Sequence, residues 1–253
     1  MSDSAASARP PWGNMPLELC APLEYAASRL RPPDMRDWPR GAGRPVLLLP
    51  GFGQSEASLG PLSKALRQQD FHSQGWGLGR NLGIKAGMTS RLLDTLEAQR
   101  QIHGQAPALV GWSLGGTIAR ELARKAPHLV SQVIALGSPI AGAYATTLQP
   151  LFRLLNPGHK TAGYSVHRHV APPVRCTAVF TRSDGIVAWP TSRELDGSNT
   201  ENIEVHGTHL GLGFNPAVWF VICHRLSPAT SAEPFRWPDA RARPPGRFWR
   251  SGI

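Results

Sequence analysis

The chain predicts an α/β fold: a mostly parallel central sheet with helices on both faces. Three observations carry this. From residue 46 to about 226, short apolar runs alternate with longer stretches of helical spacing. One pentapeptide, Gly111-Trp112-Ser113-Leu114-Gly115, stands between such a run and such a stretch, where a strand must turn sharply into a helix. The 253 residues, 41% of them hydrophobic, suffice to bury one large core as a single domain.

Residues 1–44 read as an N-terminal extension. The first sixteen are rich in Pro, Ser and Ala and are expected to be disordered. Residues 17–30 predict an amphipathic helix whose apolar face is Leu19, Leu23, Ala26, Ala27 and Leu30, and residues 31–44 a Pro/Arg linker. The sheet-bearing unit, 45–226, opens with a strand at Val46. Residues 59–69 follow as a crossover helix with Leu59, Leu62, Ala65 and Leu66 on one face. A strand over 71–76 precedes a helix over 88–102, with Leu92, Leu93, Leu96 and Ile102 inward. Then come a buried strand at 108–110, a helix over 115–125, and strands at 130–136, 176–180 and 202–206, with a last helix near 216–226.

Residues 139–172 break that rhythm. They hold large apolar groups at helical spacing (Leu148, Leu151, Phe152, Leu154, Leu155), then a Gly/His/Pro-rich stretch. An excursion of roughly thirty residues is longer than a simple connection, so it reads as a cap over the site; an ordinary core helix is the alternative. Residues 227–253 are a Pro/Arg-rich tail with Phe235, Trp237, Phe248 and Trp249.

Ser113 is the candidate nucleophile, because a strand–turn–helix context holds a serine hydroxyl exposed on a strained turn. A serine hydroxyl needs a histidine base, and the base needs a carboxylate to fix its tautomer. Asp184 follows the strand Cys176-Thr177-Ala178-Val179-Phe180, on a loop past its carboxyl end. A turn aspartate bonding its own backbone is the other reading, and Glu194 and Asp196 are rivals. Among nine histidines, His209 lies on a loop after the last strand, whereas His206 reads as part of that strand. Backbone N–H groups of Phe52, in the turn Pro50-Gly51-Phe52-Gly53, and of Leu114 are the candidate oxyanion donors.

The net charge is +10, mostly from arginine spread along the chain, with a cluster only in the tail at Arg236, Arg241, Arg243, Arg247 and Arg250. No recognition motif accompanies it, so it reads as a solvated surface, and nucleic acid is not an expected partner. Cys20, Cys176 and Cys223 have no metal spacing and form no even set; they read as small buried apolar side chains, which fits a reducing compartment. No metal and no cofactor are expected. No stretch approaches a membrane span and no signal peptide is legible, so the expected location is cytoplasmic, with peripheral membrane contact and oligomeric state left open.

With these pieces in order, the chain resembles serine hydrolases of the α/β-hydrolase superfamily, nearest their lipase and esterase branch. The matching stretches include Leu48-Leu49-Pro50-Gly51-Phe52, Gly75-Trp76-Gly77-Leu78-Gly79-Arg80-Asn81, Gly111-Trp112-Ser113-Leu114-Gly115-Gly116, Leu136-Gly137-Ser138-Pro139, Ser183-Asp184-Gly185-Ile186-Val187 and Gly207-Thr208-His209-Leu210-Gly211. Many relatives carry His-Gly where this chain has Pro50-Gly51. The resemblance implies hydrolysis of hydrophobic carboxylic esters, small or lipid-like. Ser113, Asp184 and His209 would be catalytic, and Leu148, Leu151, Phe152 and Leu155 would lie along the acyl pocket. Acyl transfer or thioester hydrolysis by the same residues is the alternative, and a non-catalytic binding protein on this scaffold a further one.

Overall fold

The computed structural model describes residues 11–83, 85–141, 146–157 and 169–238. Six strands form one sheet: β1 Pro45–Leu49, β2 His72–Gly75, β3 Ala108–Trp112, β4 Gln132–Leu136, β5 Arg175–Phe180 and β6 Thr200–Glu204. Their spatial order is β2-β1-β3-β4-β5-β6, and every neighbouring pair is parallel. Among the described residues six α-helices accompany them: α1 Ala21–Leu30, α2 Gly60–Gln68, α3 Met88–His103, α4 Leu114–Lys125, α5 Gln149–Leu155 and α6 Pro216–Leu226.

The central strands are apolar throughout because both sheet faces are covered. Alternation along each strand sorts the core in two. Val46, Leu48, Val110, Trp112, Ile134 and Val179 face one way and pack with Leu62 and Leu66 of α2 and Val218, Val221 and Ile222 of α6. Leu47, Leu49, Leu109 and Val133 face the other way, against Leu92 and Leu96 of α3 and Ile118, Leu122 and Ala123 of α4. Parallel neighbours require these crossover helices.

The chain reverses its direction of growth between β1 and β3: β2 is added on one side of β1, and β3 and all later strands on the other. In an open parallel sheet the crevice beyond the carboxyl ends at such a reversal is where ligands sit. The turn after β1 and Ser113 after β3 both lie there.

Several expectations are corrected. Residues 12–16 are ordered, as part of a 3-10 helix spanning Trp12–Cys20. The helix expected over 17–30 is α-helical only from Ala21, and its predicted apolar face points outward: Leu19, Leu23 and Leu30 are exposed, while Glu18, Ala21 and Ser28 are buried. The segment docks through hydrogen bonds to loops and an edge-on contact of Tyr25 with Phe214, not through its leucines. Ile102 is exposed, and Gln99 takes the inward position on the last turns of α3. Of the segment expected as a cap, with a helical patch over 144–155, Gln149–Leu155 is helical; its residues 142–145 and 158–168 lie outside the described residues. The expected clustering of tail residues beyond Pro238 also falls outside them, but Phe235 and Trp237 pack on Phe220 of α6.

Candidate active site

Ser113 occupies the tight turn between β3 and α4 at φ 54°, ψ −119°, a left-handed conformation that a non-glycine residue adopts only under constraint from its surroundings. Its N–H donates to the Leu136 carbonyl at 2.7 Å, and its own carbonyl accepts from the Gly116 N–H at 3.1 Å. A side chain at Gly111 would collide with the Gly115–Gly116 backbone, and one at Gly115 with the Leu49 and Pro50 carbonyls. The pentapeptide thus owes its glycines to close backbone approach.

Asp184 is buried on the loop after β5. Its Oδ1 accepts from the Ile186 N–H at 2.8 Å and the Val187 N–H at 2.6 Å. Its Oδ2 lies 2.7 Å from His209 Nδ1. The self-bonding turn aspartate and the histidine partner are therefore one residue, each role using one oxygen. His209 is fully enclosed. Burial pulls its pKa down, but the charge and hydrogen bond of Asp184, with the charge of Glu18, more than offset this and leave it raised above the usual imidazole value.

The histidine loop is tied to the serine turn by Trp112, whose indole N–H donates to the His209 carbonyl at 3.1 Å. Gly137, after β4, completes the enclosure. A Cβ there would stand 3.0 Å from His209 Nδ1 and 3.2 Å from Asp184 Oδ2. His206 falls two residues past the end of β6, not within it, and its carbonyl accepts from Asn215, the N-cap of α6. Glu194 is committed elsewhere, to a buried ion pair with Arg120, and Asp196 is exposed.

The turn after β1 lies against the serine: a Cβ at Gly51 would be 3.3 Å from that of Ser113. Within this turn the Gly51 N–H donates to Gln54 Oε1, the Gly53 N–H to the Asn81 carbonyl and the Gln54 N–H to the Gly51 carbonyl. Phe52 is left as the turn's one main-chain donor without a partner among the described residues. Leu114 opens α4, where the first N–H groups have no intrahelical acceptor. Asn81, wholly buried, fastens the turn by donating to the Pro50 carbonyl at 2.7 Å. Phe152 of α5 packs edge-on against Phe52 with ring centres 5.4 Å apart. Leu148 is half-buried, and Leu151 and Leu155 are exposed.

Sequence reasoning missed three contributors. Asn81 and Gly137 stood in the stretches that carried the resemblance, without a role. Glu18 gave no signal. Its Oε1 accepts from the Gly185 N–H at 2.8 Å and the His209 N–H at 2.9 Å, and its Oε2 from the Leu210 N–H at 2.8 Å.

A cleft of about 500 Å³ borders the site, walled by Leu19, Tyr25, Gln54, Trp112, Leu210 and Phe214 among others. A larger one, about 610 Å³, is walled by Arg29, Arg40, Lys64, Gln69 and Trp219 and contains none of the candidate catalytic residues. Among the described residues no group of three His, Cys, Asp or Glu side chains could hold a metal, and no helix is long and apolar enough to cross a membrane. All three cysteines are free, but only Cys176 and Cys223 are buried as expected; Cys20, at the end of the 3-10 helix, is exposed. Burial pushes the Cys176 and Cys223 thiols up, away from thiolate chemistry.

A parallel sheet with a strained serine at its reversal point, and a carboxylate–histidine pair whose loop is bonded to the residue before that serine, defines the class of the protein: it has the α/β-hydrolase fold. The model of the alpha/beta hydrolase fold family matches residues 46–163, a span that includes Phe52 and Ser113 and ends before Asp184 and His209. A pimeloyl-[acyl-carrier protein] methyl ester esterase of Aliivibrio salmonicida is 35% identical over 105 residues, covering 39% of this chain and 37% of that protein. The chain thus spans little more than a third of the length of the curated relatives it matches. Among solved structures, lipase B of Aspergillus fumigatus superposes with a TM-score of 0.56 at 19% identity, over 76% of this chain and 54% of that one. A soluble variant of the Saccharomyces cerevisiae monoglyceride lipase gives 0.56 at 15% identity, over 76% and 90%. At these identities the two likenesses speak for the fold alone.

Proposed function

We propose that the protein is a carboxylic ester hydrolase working through an acyl-enzyme on Ser113. The observation that carries this reading is the 2.7 Å bond between Asp184 and a buried His209 whose loop is tied to the residue before a strained serine. Asp184 holds the proton of His209 on Nδ1, which leaves Nε2 free as the base. His209 takes the Ser113 proton as Oγ bonds to the ester carbonyl carbon. The oxyanion forms against the Phe52 and Leu114 amides. As the carbon–oxygen bond to the alcohol breaks, His209 returns the proton to the departing oxygen. Water then attacks the acyl-enzyme by the same route, releasing the acid and restoring Ser113.

The catalytic unit in this reading is residues 45–226 with a cap at about 139–172, between an extension (1–44) and a tail (227–253). Phe152, through Phe52, and Leu148, Leu151 and Leu155 form the apolar side toward the acyl group. Exposed leucines on α5 and a net charge of +10 support peripheral contact with anionic lipid surfaces, and the free cysteines support a cytoplasmic location. The name of the curated relative adds carrier-bound acyl methyl esters to the substrates worth assaying.

A panel of p-nitrophenyl esters with a fluorophosphonate probe tests the reading. Wild type should hydrolyse the esters and be labelled at Ser113; Ser113→Ala should lose label and fall roughly 10⁴-fold in kcat. Turnover by Ser113→Ala above about a tenth of wild type removes Ser113 from the mechanism.

A further inference from the structure

Residues 12–30 precede the sheet, yet they touch both loops that carry the candidate acid and base. Glu18 is only 8% exposed, and no lysine or arginine is paired with it among the described residues. A buried carboxylate without a cation must be solvated by hydrogen-bond donors. Here the donors are three main-chain amides, those of Gly185, His209 and Leu210. They come from two different loops, and each belongs to a candidate triad residue or its immediate neighbour. Two flanking side chains repeat the pattern: Asn14 donates to the Arg182 and Asp184 carbonyls, and Glu24 accepts from the N–H and hydroxyl of Thr208.

The Asp184–His209 bond joins loops that follow separate strands, so its length depends on how far apart those loops stand. One carboxylate bonded to both backbones fixes that separation. We propose that Glu18 is a positioning residue of this site, locking the loops after β5 and β6 together so that Asp184 and His209 stay in hydrogen-bonding register. The role rests on the ester-hydrolase reading, and Glu18 touches no reacting atom. It also adds negative charge beside His209, together with Asp184, and both stabilise the imidazolium that forms during proton transfer. Glu24, on Thr208, is the other carboxylate bonded to this loop.

Glu18→Gln separates these roles from bulk packing. The amide keeps one acceptor oxygen but sets an N–H₂ donor against a main-chain donor, and it removes the charge. With the full chain, Glu18→Gln should lower kcat about 10- to 100-fold while KM stays within about twofold, because a misplaced base slows chemistry more than binding. The acid limb of its kcat/KM profile should move to lower pH. Leu30→Ala, at an 81% exposed position of the same segment, should behave as wild type. A Glu18→Gln enzyme with wild-type kcat and an unmoved acid limb overturns the inference. Should the variant not fold, hydrogen exchange on wild type decides: the Gly185, His209 and Leu210 amides must exchange as slowly as sheet amides, and free exchange overturns the inference. Wild type unlabelled by fluorophosphonate overturns the esterase reading and this inference with it; labelled wild type beside an unaffected Glu18→Gln overturns this inference alone.

Discussion

Replacing Gly137 by alanine should damage the site more than a single methyl suggests. The residue sits at φ +53°, where alanine costs roughly 1 kcal/mol. The added Cβ would meet Leu212 Cδ1 at 2.7 Å, His209 Nδ1 at 3.0 Å and Asp184 Oδ2 at 3.2 Å. Leu212 has a flexible tip and can retreat. His209 and Asp184 are held to each other at 2.7 Å and to the surrounding amides, so relief there pushes the pair away from its place. Such overpacking adds about 1–3 kcal/mol, for a total of about 2–4 kcal/mol. In a chain of this size that lowers Tm by roughly 5–15 °C. A displaced base should cost roughly 10²-fold in kcat, equivalent to about 2.7 kcal/mol of barrier, with KM little changed. Thermal melts and steady-state kinetics on a short p-nitrophenyl ester read both quantities, and the rate of fluorophosphonate labelling should fall with kcat. An alanine variant with kcat within about threefold of wild type would refute the reasoning, since the pair would then have room the geometry denies it.

His209→Ala should abolish hydrolysis and His206→Ala should keep most of it, with Asp184→Asn falling roughly 10⁴-fold and Asp196→Asn unaffected; the reverse pattern would move the base to His206. Because the folded state raises the pKa of His209, the acid limb of kcat/KM should lie above pH 6.5, and a limb clearly below that value would contradict the charge environment described. The same shift has a definite sign for stability: folded His209 binds its proton more tightly than the unfolded chain does. Its contribution is therefore complete below the unfolded pKa and is lost as pH rises through the folded one, which melts of wild type and His209→Ala across that range would register. Phe152→Ala should shift the preferred ester chain length, at roughly 1 kcal/mol per methylene, more than it lowers Tm; the opposite result would make Phe152 a core residue of the fold.

What was legible in the sequence followed from local chemistry. Strands β1, β3, β4 and β5 are apolar runs because both their faces are buried, and α6 begins where Asn215 caps it and Pro216 can start a helix. Ser113 stands out through the glycines two residues away on either side, Gly111 and Gly115. Asp184 and His209, 25 residues apart, were found because each follows a strand at the same edge of the sheet. The rest depended on distant partners. Glu18 finds its donors 167 to 192 residues further along the chain, and no window of sequence holds that information. The apolar face expected over 17–30 was assigned inward on period alone, whereas the segment is anchored by Glu18 and Glu24 and leaves its leucines outside. Ile102 differs in another way: on the last turns of α3 the inward position falls to Gln99, which is buried, and Ile102 is left exposed.

The ion pair between Arg120 and Glu194, both almost wholly enclosed, has a practical consequence for anyone mapping this protein by mutagenesis. Removing one partner of such a pair strands a charge in the interior and costs about 3–5 kcal/mol, a large part of the stability of an ordinary domain. A scan that substitutes every acidic residue and records only turnover in extracts would therefore return Glu194 beside Asp184 and the positioning residue Glu18, and would be tempted to give Glu194 the catalytic role of Asp184. The two failures differ in kind. Loss of Asp184 should leave a soluble protein with a silent serine, and loss of Glu194 a depleted or aggregated one whose surviving molecules work normally. Titrating active sites before dividing rate by concentration tells a broken tool from a missing one.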